Sequence, residues 1–232
     1  SVNIENSSKK MIRIKGQNEL SASNIEVPGD FSSASFFIVA ALIVPDSNLY
    51  LKNIGINPYR IGLIEILQEM GAKLELLNKS IRNNEPVADI RVYSSDLKGV
   101  EVPSEISPKM IDEYPILSIA ACMAKGKTIL RGLDELRYKE SNRLKSIVEM
   151  LMQFNVSVKE SEDQLLIENK KQIIEGNCTI KTFQDHRIAM SAIIGGLVSK
   201  GPVHIDDSSM IETSFPGFID IINSVGGRVS EK

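Results

Sequence analysis

An internal repetition constrains the fold more than any other feature of this chain of 232 residues. A helix-like segment, a strand-like segment and a second helix-like segment follow one another three times, and the copies have matching acidic residues at Asp30, Asp112 and Asp185. A repeated unit of this kind buries its apolar face only against its neighbours. The repetition therefore predicts three similar units around one shared core.

Each copy is expected to contain two kinds of helix. Residues 33–44, 116–123 and 188–198 are rich in Ala, Gly, Ser and Ile with little polar interruption, which is typical of helices buried on most sides. Residues 61–70 and 144–154 have apolar side chains three or four positions apart, which indicates amphipathic helices. The β-branched segments between these helices predict strands. Helices and strands together predict an α/β (α+β) domain of three β-α-β-α-β-β units, with buried helices inside and sheets outside.

The boundaries of these units are also predicted from the pattern. The repeats cover about 25–99, 100–177 and 178–232, and together they form one domain, 25–232. Residues 1–24 fit none of them: residues 11–15 alternate like one arm of a hairpin, and residues 7–10 read as a polar turn. Residues 78–88 are expected to form an exposed loop between two strands.

Composition excludes several classes of protein. The 27 basic and 30 acidic side chains leave a net charge of −3, which provides no broad basic field for a nucleic-acid backbone. The longest apolar run, 36–44, is far shorter than the roughly 20 residues that cross a bilayer, and the polar start does not resemble a signal peptide. Cys122 and Cys178 form no CxxC pair and lie near no histidine at metal-ligand spacing. We therefore expect a cytoplasmic protein without a metal site.

Cations at the start of two helices are the most informative charges. The N-terminus of a helix carries partial positive charge, so Lys and Arg are disfavoured there by about 0.3–1 kcal/mol. One helix nevertheless starts with RYKESNR, which contains Lys139 and Arg143, and another with DHR, which ends at Arg187. A bound carboxylate or phosphate would remove this repulsion, because helix-start amides and arginines both bind anions. The pattern predicts an anion site.

Each of these motifs also has an ordinary structural explanation. Glu140 can pair with Arg143, and Asp185 can simply cap its helix. The matching places of the two motifs in two repeats favour the anion site. Arg60 is the weaker case, because residues 57–58 read as a cap followed by a proline at the first helical position.

Acidic residues form a second group near these cations. Asp112 and Glu113 precede an apolar helix, where acids are expected, so the sequence alone favours a capping role. Glu135 and Glu140 flank the basic cluster and would supply general acid or base chemistry if an anion binds there. His186 lies in the charged cluster and is a candidate proton handler.

Seven motifs, in one order, resemble the C-terminal half of the 5-enolpyruvylshikimate-3-phosphate synthase (3-phosphoshikimate 1-carboxyvinyltransferase) family, especially its alphaproteobacterial glyphosate-tolerant type. They read VPGDFSSASFFIVAALIVP, NPYRIGLIEILQEMGA, SSDLKGVEVP, MIDEYPILSIAA, GLDELRYKESNRL, DHRIAMS and DDSSMIETSFPGF. The resemblance extends from about residue 10 to the end of the sequence.

The resemblance implies a fold, a reaction and partners. Members of the family have two domains, each of three such units around buried helices in an inside-out barrel, which close on the substrates. They transfer the enolpyruvyl group of phosphoenolpyruvate to the 5-hydroxyl of shikimate 3-phosphate through a tetrahedral adduct and release phosphate, without a metal or organic cofactor. The expected partners are these two substrates and, if the gene is split, a separate N-terminal half. Self-association through an exposed interdomain face is a further expectation.

The resemblance also implies roles for individual residues. Asp112 corresponds to the acid that holds the shikimate hydroxyls and is a candidate base for the attacking one. Glu140 corresponds to the acid that protonates the methylene carbon of phosphoenolpyruvate. Arg143 and Arg187 correspond to the arginines that bind its carboxylate. Lys139 corresponds to an active-site lysine near the shikimate phosphate.

Two further residues and two departures complete the comparison with the family pattern. Glu135 falls where the family contacts shikimate 3-phosphate, and His186 adjoins the carboxylate site. The usual KESDR reads KESNR here, and the loss of a charge at Asn142 is expected to loosen the orientation of Arg143. Thr213 stands where many relatives have a lysine, as it does in the alphaproteobacterial type.

The resemblance covers half of the family's active site. The N-terminal domain of the family supplies a Lys-Ser pair, two arginines and a Ser/Gln cluster, and none of them has a counterpart in this sequence. Residues 1–24 are therefore expected to be the last hairpin of that domain plus a hinge, and the chain alone is expected to be inactive or nearly so. The alternative is a non-catalytic anion-binding or interaction remnant of a truncated or split gene. The related enolpyruvyl transferase of peptidoglycan synthesis shares the fold, but KESNR with DHRIAMS favours the shikimate enzyme.

Overall fold

Helices and strands alternate along the chain in an order that repeats. The structure, a computed structural model, describes residues 4–8, 11–14, 16, 19 and 21–230. The strands are β1 (Ile4–Ser8), β2 (Met11–Ile14), β3 (Asn48–Gly55), β4 (Lys73–Arg82), β5 (Glu85–Tyr93), β6 (Glu101–Val102), β7 (Lys127–Arg131), β8 (Ser157–Glu160), β9 (Gln164–Glu168), β10 (Cys178–Ile180) and β11 (Val203–Ile205). The helices are α1 (Phe31–Ile43), α2 (Gly62–Glu69), α3 (Tyr114–Met123), α4 (Arg143–Gln153), α5 (His186–Gly196), α6 (Ser209–Ser214) and α7 (Phe218–Ser224).

Helices α1, α3 and α5 form the centre of the domain. They contact one another, and nearly all of their residues are buried. Small residues allow this close approach: a Cβ added at Gly195 of α5 would lie 2.9 Å from the ring of Phe154, which follows α4. The prediction of buried inner helices is confirmed.

Helices α2 and α4 cover this centre with one apolar face each. Leu63, Ile64 and Leu67 of α2 are buried, as are Leu144 and Ile147 of α4. Each buried side chain of this size contributes about 1.5–3 kcal/mol of hydrophobic stabilisation. The charged residues of both helices lie mainly on the opposite face, so the amphipathic pattern is confirmed.

Three sheets lie outside the helices. The first has the order β3-β5-β4 and is antiparallel, the second has the order β6-β7-β9-β8, and the third is the parallel pair β10-β11. The first two sheets include an antiparallel hairpin after the second helix of the unit. In the third unit residues 225–230, the last described after α7, form no strand. The predicted mixed α/β class with helices inside and sheets outside is confirmed, while the third unit is shorter in this part of the chain.

Two aromatic residues after β11 attach the end of the chain to the centre. Phe215 and Phe218 flank the start of α7, with ring centroids 5.4 Å apart. They contact Phe37 of α1 at centroid distances of 5.8 and 5.6 Å. Edge-on contacts of this kind add about 0.5–1.5 kcal/mol to the burial itself. The SFPGF motif therefore joins the third unit to the first.

The loop predicted over 78–88 is wrong in its extent. Strands β4 and β5 run through most of this segment and are joined by only two residues, Asn83 and Asn84, with φ of 49° and 66°. Positive φ at both positions is the geometry that two-residue hairpins favour, and Asn tolerates it well. The polar composition of the segment reflects exposed strand ends rather than a long loop.

The N-terminal segment contains the hairpin that the alternation predicts. Strands β1 and β2 pair antiparallel, with Ile4 opposite Ile14. Lys9, Lys10 and Lys15 lie outside the described residues. Across the described part of the chain, no helix combines the length and the apolar character needed to cross a membrane.

Candidate active site

The N-terminal ends of five helices meet at one end of the inner bundle. Ser32 in the first turn of α1 contacts Glu113, which precedes α3. Arg60, just before α2, donates to Ser32. Asp185, the cap of α5, contacts Arg143, the first residue of α4. Because each helix start carries partial positive charge, the five helices add positive potential to this end of the bundle.

Arg143 is completely buried and is held by three carboxylates. Its Nε donates to Oδ2 of Asp185 at 2.8 Å, and one terminal nitrogen donates to Oδ1 of Asp185 at 3.3 Å. The other terminal nitrogen donates to Oδ1 of Asp112 at 3.1 Å, and Glu140 forms a further ion pair. A buried guanidinium requires such partners, because desolvation of an unpaired charge costs several kcal/mol. The pairing of Glu140 with Arg143, which the sequence left as an alternative, is present.

Asn142 caps α4 and makes its capping contact with Lys145 rather than with Arg143. Its side-chain oxygen accepts from the backbone N–H of Lys145 at 3.2 Å. The orientation of Arg143 is instead set by the three carboxylates. The effect of the neutral residue in KESNR on this arginine stays a prediction. Asn is among the best capping residues, so the position retains a local role.

Asp112 lies among three cations. Its carboxylate is 3.1 Å from Arg143, 3.5 Å from Lys139 Nζ and 3.9 Å from Arg187. Partial burial alone would raise the pKa of Asp112, but attraction by Arg187, Lys139 and Arg143 outweighs it and lowers the pKa. Asp112 is therefore an ionised carboxylate in the unliganded protein.

Lys139 bridges Asp112 and Glu135. The helix start predicted at RYKESNR is wrong for Lys139, because residues 134–138 form a 3-10 turn and α4 begins only at Arg143. Nζ of Lys139 lies 3.0 Å from Oε1 of Glu135, four positions earlier. Burial alone would lower the pKa of Lys139, but the hydrogen bond to Glu135 and attraction by both acids raise it. Lys139 is thus held in its charged form at the surface of the cluster.

The capping role predicted for Asp112 and Glu113 is wrong. Glu113 stands at the cap position of α3, yet its side chain makes no capping hydrogen bond. Its carboxylate accepts from Ser32 Oγ at 2.5 Å and lies 3.6 Å from Arg187. Burial raises the pKa of Glu113, although the bond from Ser32 and attraction by Arg187 oppose the shift. Sequence reasoning missed this buried carboxylate, because acids before an apolar helix usually cap it.

Arg60 also belongs to the cluster, contrary to its purely structural interpretation. Asn57 does not cap α2, which begins only at Gly62; its side chain accepts from the backbone of Tyr59 at 3.0 Å. The guanidinium of Arg60 donates to Ser32 Oγ at 3.3 Å. A small cavity of about 90 Å³ lies here, lined by Arg60, Glu113 and neighbouring residues.

His186 is the first residue of α5 and is 9% exposed. Burial and the positive charge of Arg187 lower the pKa of His186, so its neutral form is favoured. The two residues before its cap, Phe183 and Gln184, have φ of 53° and 57°. A strained turn of this kind is common where a protein fixes functional groups.

The structure brings all seven predicted site residues together. They are Asp112, Glu135, Lys139, Glu140, Arg143, His186 and Arg187. Thr213 does not join them: it is an exposed residue of α6 whose hydroxyl donates to the backbone of Met210. A cavity of about 1280 Å³ lies by β11 at the other ends of α1 and α5, and none of the seven residues lines it.

Exposure decides which of these groups an incoming anion meets first. The side chains of Arg187 and Lys139 are 15% and 21% exposed, whereas that of Arg143 is fully covered. Glu140, with 45% of its side chain exposed, occupies one N–H group of Arg143. Arg187 and Lys139 are therefore the partly exposed cations of the cluster, and Glu140 is the exposed partner of the covered Arg143.

Comparison with known proteins gives one consistent result. The family model described as EPSP synthase (3-phosphoshikimate 1-carboxyvinyltransferase) matches residues 1–222. A 3-phosphoshikimate 1-carboxyvinyltransferase of Bartonella quintana (strain Toulouse) is 50% identical over 222 residues, and one of Chelativorans sp. (strain BNC1) is 49% identical over 222 residues. Each alignment covers 95% of this chain, and 50% and 49% of the respective relative. The chain therefore spans about half the length of these relatives.

Solved structures agree with the sequence comparison. An EPSP synthase from Acinetobacter baumannii superposes with a TM-score of 0.91 at 39% identity, over 99% of this chain and 53% of that one. The enolpyruvyl transferase NikO from Streptomyces tendae superposes with a TM-score of 0.70 at 15% identity, over 100% of this chain and 51% of that one. At that identity the second likeness shows the fold alone.

Proposed function

The chain belongs to the EPSP synthase family, and from this we propose that it forms the C-terminal half of a 3-phosphoshikimate 1-carboxyvinyltransferase. The proposed reaction joins the 5-hydroxyl oxygen of shikimate 3-phosphate to the central carbon of phosphoenolpyruvate. A proton adds to the methylene carbon to give a tetrahedral adduct. Loss of a proton from that carbon and of phosphate then restores the double bond in the product.

We propose Asp112 as the base for the attacking hydroxyl. In the unliganded chain three cations lower its pKa, which keeps it ionised but makes it a weak base. Anionic substrates bound to Arg187 and Lys139 would neutralise part of that attraction. The pKa of Asp112 then rises toward its ordinary value, so substrate binding strengthens the base that the reaction uses.

Glu140 is the proposed acid, and its position links binding to protonation. It now contacts Arg143, one of the two arginines proposed to bind the carboxylate of phosphoenolpyruvate. A substrate carboxylate that binds Arg143 takes the place of Glu140. The displaced carboxyl group of Glu140 then lies beside the substrate. Lys139 is proposed to act with Asp112 and Glu140, while Glu135 and His186 contact the substrates.

One observation carries the proposal. Asp112 from the second unit lies between Arg187 of the third unit and Lys139 and Arg143 of its own, within 3.9 Å of all three. A carboxylate among three cations, of which Arg143 and Arg187 lie in the first turns of α4 and α5, provides both a base and an anion site, which the transfer of an enolpyruvyl group to a hydroxyl requires.

The remaining parts of the proposal concern the whole protein. An N-terminal half, in the same polypeptide or a separate one, supplies the other side of the site, and residues 25–232 form the C-terminal domain behind a hairpin and hinge at 1–24. We propose cytoplasmic localisation and chemistry without a metal or organic cofactor.

Release of phosphate from phosphoenolpyruvate and shikimate 3-phosphate tests the function. We expect turnover when this chain is combined with its N-terminal half, and little or none from the chain alone, because both halves position the substrates. Asp112→Asn should abolish turnover, whereas Glu101→Gln, which removes an exposed partner of Arg131, should not. Full turnover by the lone chain, or an active Asp112→Asn variant, would contradict the proposal.

A second candidate is a non-catalytic anion-binding or interaction remnant. Two observations favour the remnant: Arg143 is completely buried, and acids pair with Arg143, Lys139 and Arg187. No strongly exposed cation therefore remains among these three. Calorimetry with phosphoenolpyruvate separates the two: binding abolished by Arg143→Ala and Arg187→Ala supports the enzyme half-site. The absence of binding to the native chain, with self-association in light scattering, supports a remnant.

A further inference from the structure

Glu113 lies one layer behind the proposed substrate site and is almost fully buried. Only 2% of its side chain is exposed. Its Oε1 accepts from Ser32 at 2.5 Å and lies 3.6 Å from a terminal nitrogen of Arg187. The hydroxyl of Ser32 in turn accepts from Arg60 at 3.3 Å. A chain of contacts thus runs from Arg60 through Ser32 and Glu113 to Arg187.

This network joins the starts of the three inner helices. Ser32 lies in the first turn of α1, Glu113 directly before α3, and Arg187 in the first turn of α5. Burial of a carboxylate is unfavourable unless partners compensate for lost hydration. Because Glu113 does not cap its helix, its burial serves the contacts to Ser32 and Arg187.

The network anchors one end of the Arg187 guanidinium. The nitrogen that faces Glu113 also donates to the backbone oxygen of Asp112 at 3.2 Å. The second terminal nitrogen lies toward the carboxylate of Asp112, at 3.9 Å. With its inner end fixed, the guanidinium presents its other N–H groups in one orientation. A planar, bidentate donor gains affinity for a carboxylate from such preorganisation.

We propose that Glu113, held by Ser32, is a positioning residue that orients Arg187 toward the carboxylate of the bound substrate. The proposal deepens the function given above and rests on it. Glu113 touches no substrate in this arrangement; it acts through Arg187. The charge of Glu113 is essential, because an amide in the same place keeps the shape but attracts the guanidinium far less.

The test uses this chain together with its N-terminal half and compares the KM values for the two substrates. Glu113→Gln should raise the KM for phosphoenolpyruvate about tenfold, the size of one lost charge-assisted contact. The KM for shikimate 3-phosphate should change less than about twofold. Ser32→Ala, which removes the hydrogen bond that orients Glu113 but leaves its carboxyl group in place, should give a smaller rise in the same direction. Glu101→Gln serves as the matched control on the outer sheet.

Arg187→Ala separates this proposal from the proposed function. If it leaves the KM for phosphoenolpyruvate unchanged, the carboxylate assignment of Arg187 fails. If Arg187→Ala raises the KM for phosphoenolpyruvate but Glu113→Gln and Ser32→Ala do not, the positioning role of Glu113 is overturned. A parallel rise in both KM values with a loss of stability shows a merely structural Glu113 and also overturns it. If Glu113→Gln does not fold, the selective effect of Ser32→Ala decides the outcome.

Discussion

Arg143 and Asp185 form a two-point ion pair inside the protein, although they are 42 positions apart in the sequence. Both side chains are fully buried. Asp185 also accepts from the backbone N–H of Arg187 at 3.0 Å and so caps α5. One carboxylate therefore caps a helix of the third unit and holds the first residue of α4 in the second.

The first prediction concerns the stability that this pair provides. Asp185→Asn keeps a good capping residue but leaves the buried charge of Arg143 with two carboxylates instead of three. We expect the free energy of unfolding to fall by about 3 kcal/mol, the scale measured when one partner of a buried pair is removed. Urea-induced unfolding, followed by circular dichroism, measures the change.

Glu160→Gln is the matched control for that substitution. Glu160 pairs with Arg137 at 2.9 Å, and both side chains are about one-third exposed. Exposed pairs contribute less than about 1 kcal/mol, so the loss should be small. Equal losses in the two variants would show that burial does not determine the strength of the Arg143–Asp185 pair.

The second prediction concerns the contact between Glu140 and Arg143. If Glu140 occupies the place of a substrate carboxylate, Glu140→Ala should bind phosphoenolpyruvate about three- to tenfold more tightly, because a competing charge-assisted contact is removed. Turnover should be lost in the same variant, because the proposed acid is absent. Calorimetry and the phosphate-release assay, on the chain with its N-terminal half, measure the two quantities.

Glu149→Ala provides the comparison for this variant. Glu149 lies on α4 and pairs with Lys145 at 3.8 Å, so its removal deletes a carboxylate of the same helix without uncovering Arg143. It should change neither the affinity nor the turnover. Weaker binding of phosphoenolpyruvate by Glu140→Ala would indicate that Glu140 holds the site together rather than filling it.

The sequence predicts much of the fold because local patterns determine it. Continuous apolar and small residues over 33–44 are typical of a buried helix, and α1 covers nearly all of that segment, from Phe31 to Ile43. The cations Arg143 and Arg187 likewise predict a charged site, since their positions in the first turns of α4 and α5 are unfavourable in isolation. The prediction of the buried helix and the prediction of the charged site both depend on residues that are close together in the sequence.

The rest of the site depends on contacts between distant residues, which one sequence does not reveal. Whether Glu113 caps its helix or contacts another helix is decided by Ser32, 81 positions away. The local pattern at Asn57 is also ambiguous, although only neighbouring residues are involved. A cap followed by proline describes a helix start and a tight turn equally well, and the start of α2 at Gly62 distinguishes them.

The third prediction concerns pH. Burial lowers the pKa of His186 from its ordinary value of 6.5, so unfolding takes up a proton between the two pKa values. The contribution of neutral His186 to stability is therefore complete above about pH 6.5 and is lost as pH falls through the folded-state pKa, with a slope of at most about 1.4 kcal/mol per unit. Unfolding by urea between pH 7.5 and 5 should show this slope in the wild type and not in His186→Gln.

His204→Gln is the control for the pH series. His204 is exposed in β11, far along the chain from the charged cluster. Its replacement shows whether loss of a histidine outside the cluster has the same effect as loss of His186. If His186→Gln retains the full slope, other groups cause it and the burial of His186 has no energetic effect in this range.

The fourth prediction concerns the strained turn before α5. Phe183 and Gln184 have positive φ in succession, and the preceding Thr182 is fixed by two hydrogen bonds of 2.8 Å to Asp206. Positive φ costs a residue with a Cβ about 1–2 kcal/mol, and glycine avoids this cost. Part of the gain is offset because glycine loses more conformational entropy on folding. Gln184→Gly should therefore raise the free energy of unfolding by about 0.5–1 kcal/mol. Gln153→Gly, at an exposed position in the last turn of α4, should lower it by about 0.5–1 kcal/mol. A loss of stability in both variants would show that the turn is not strained.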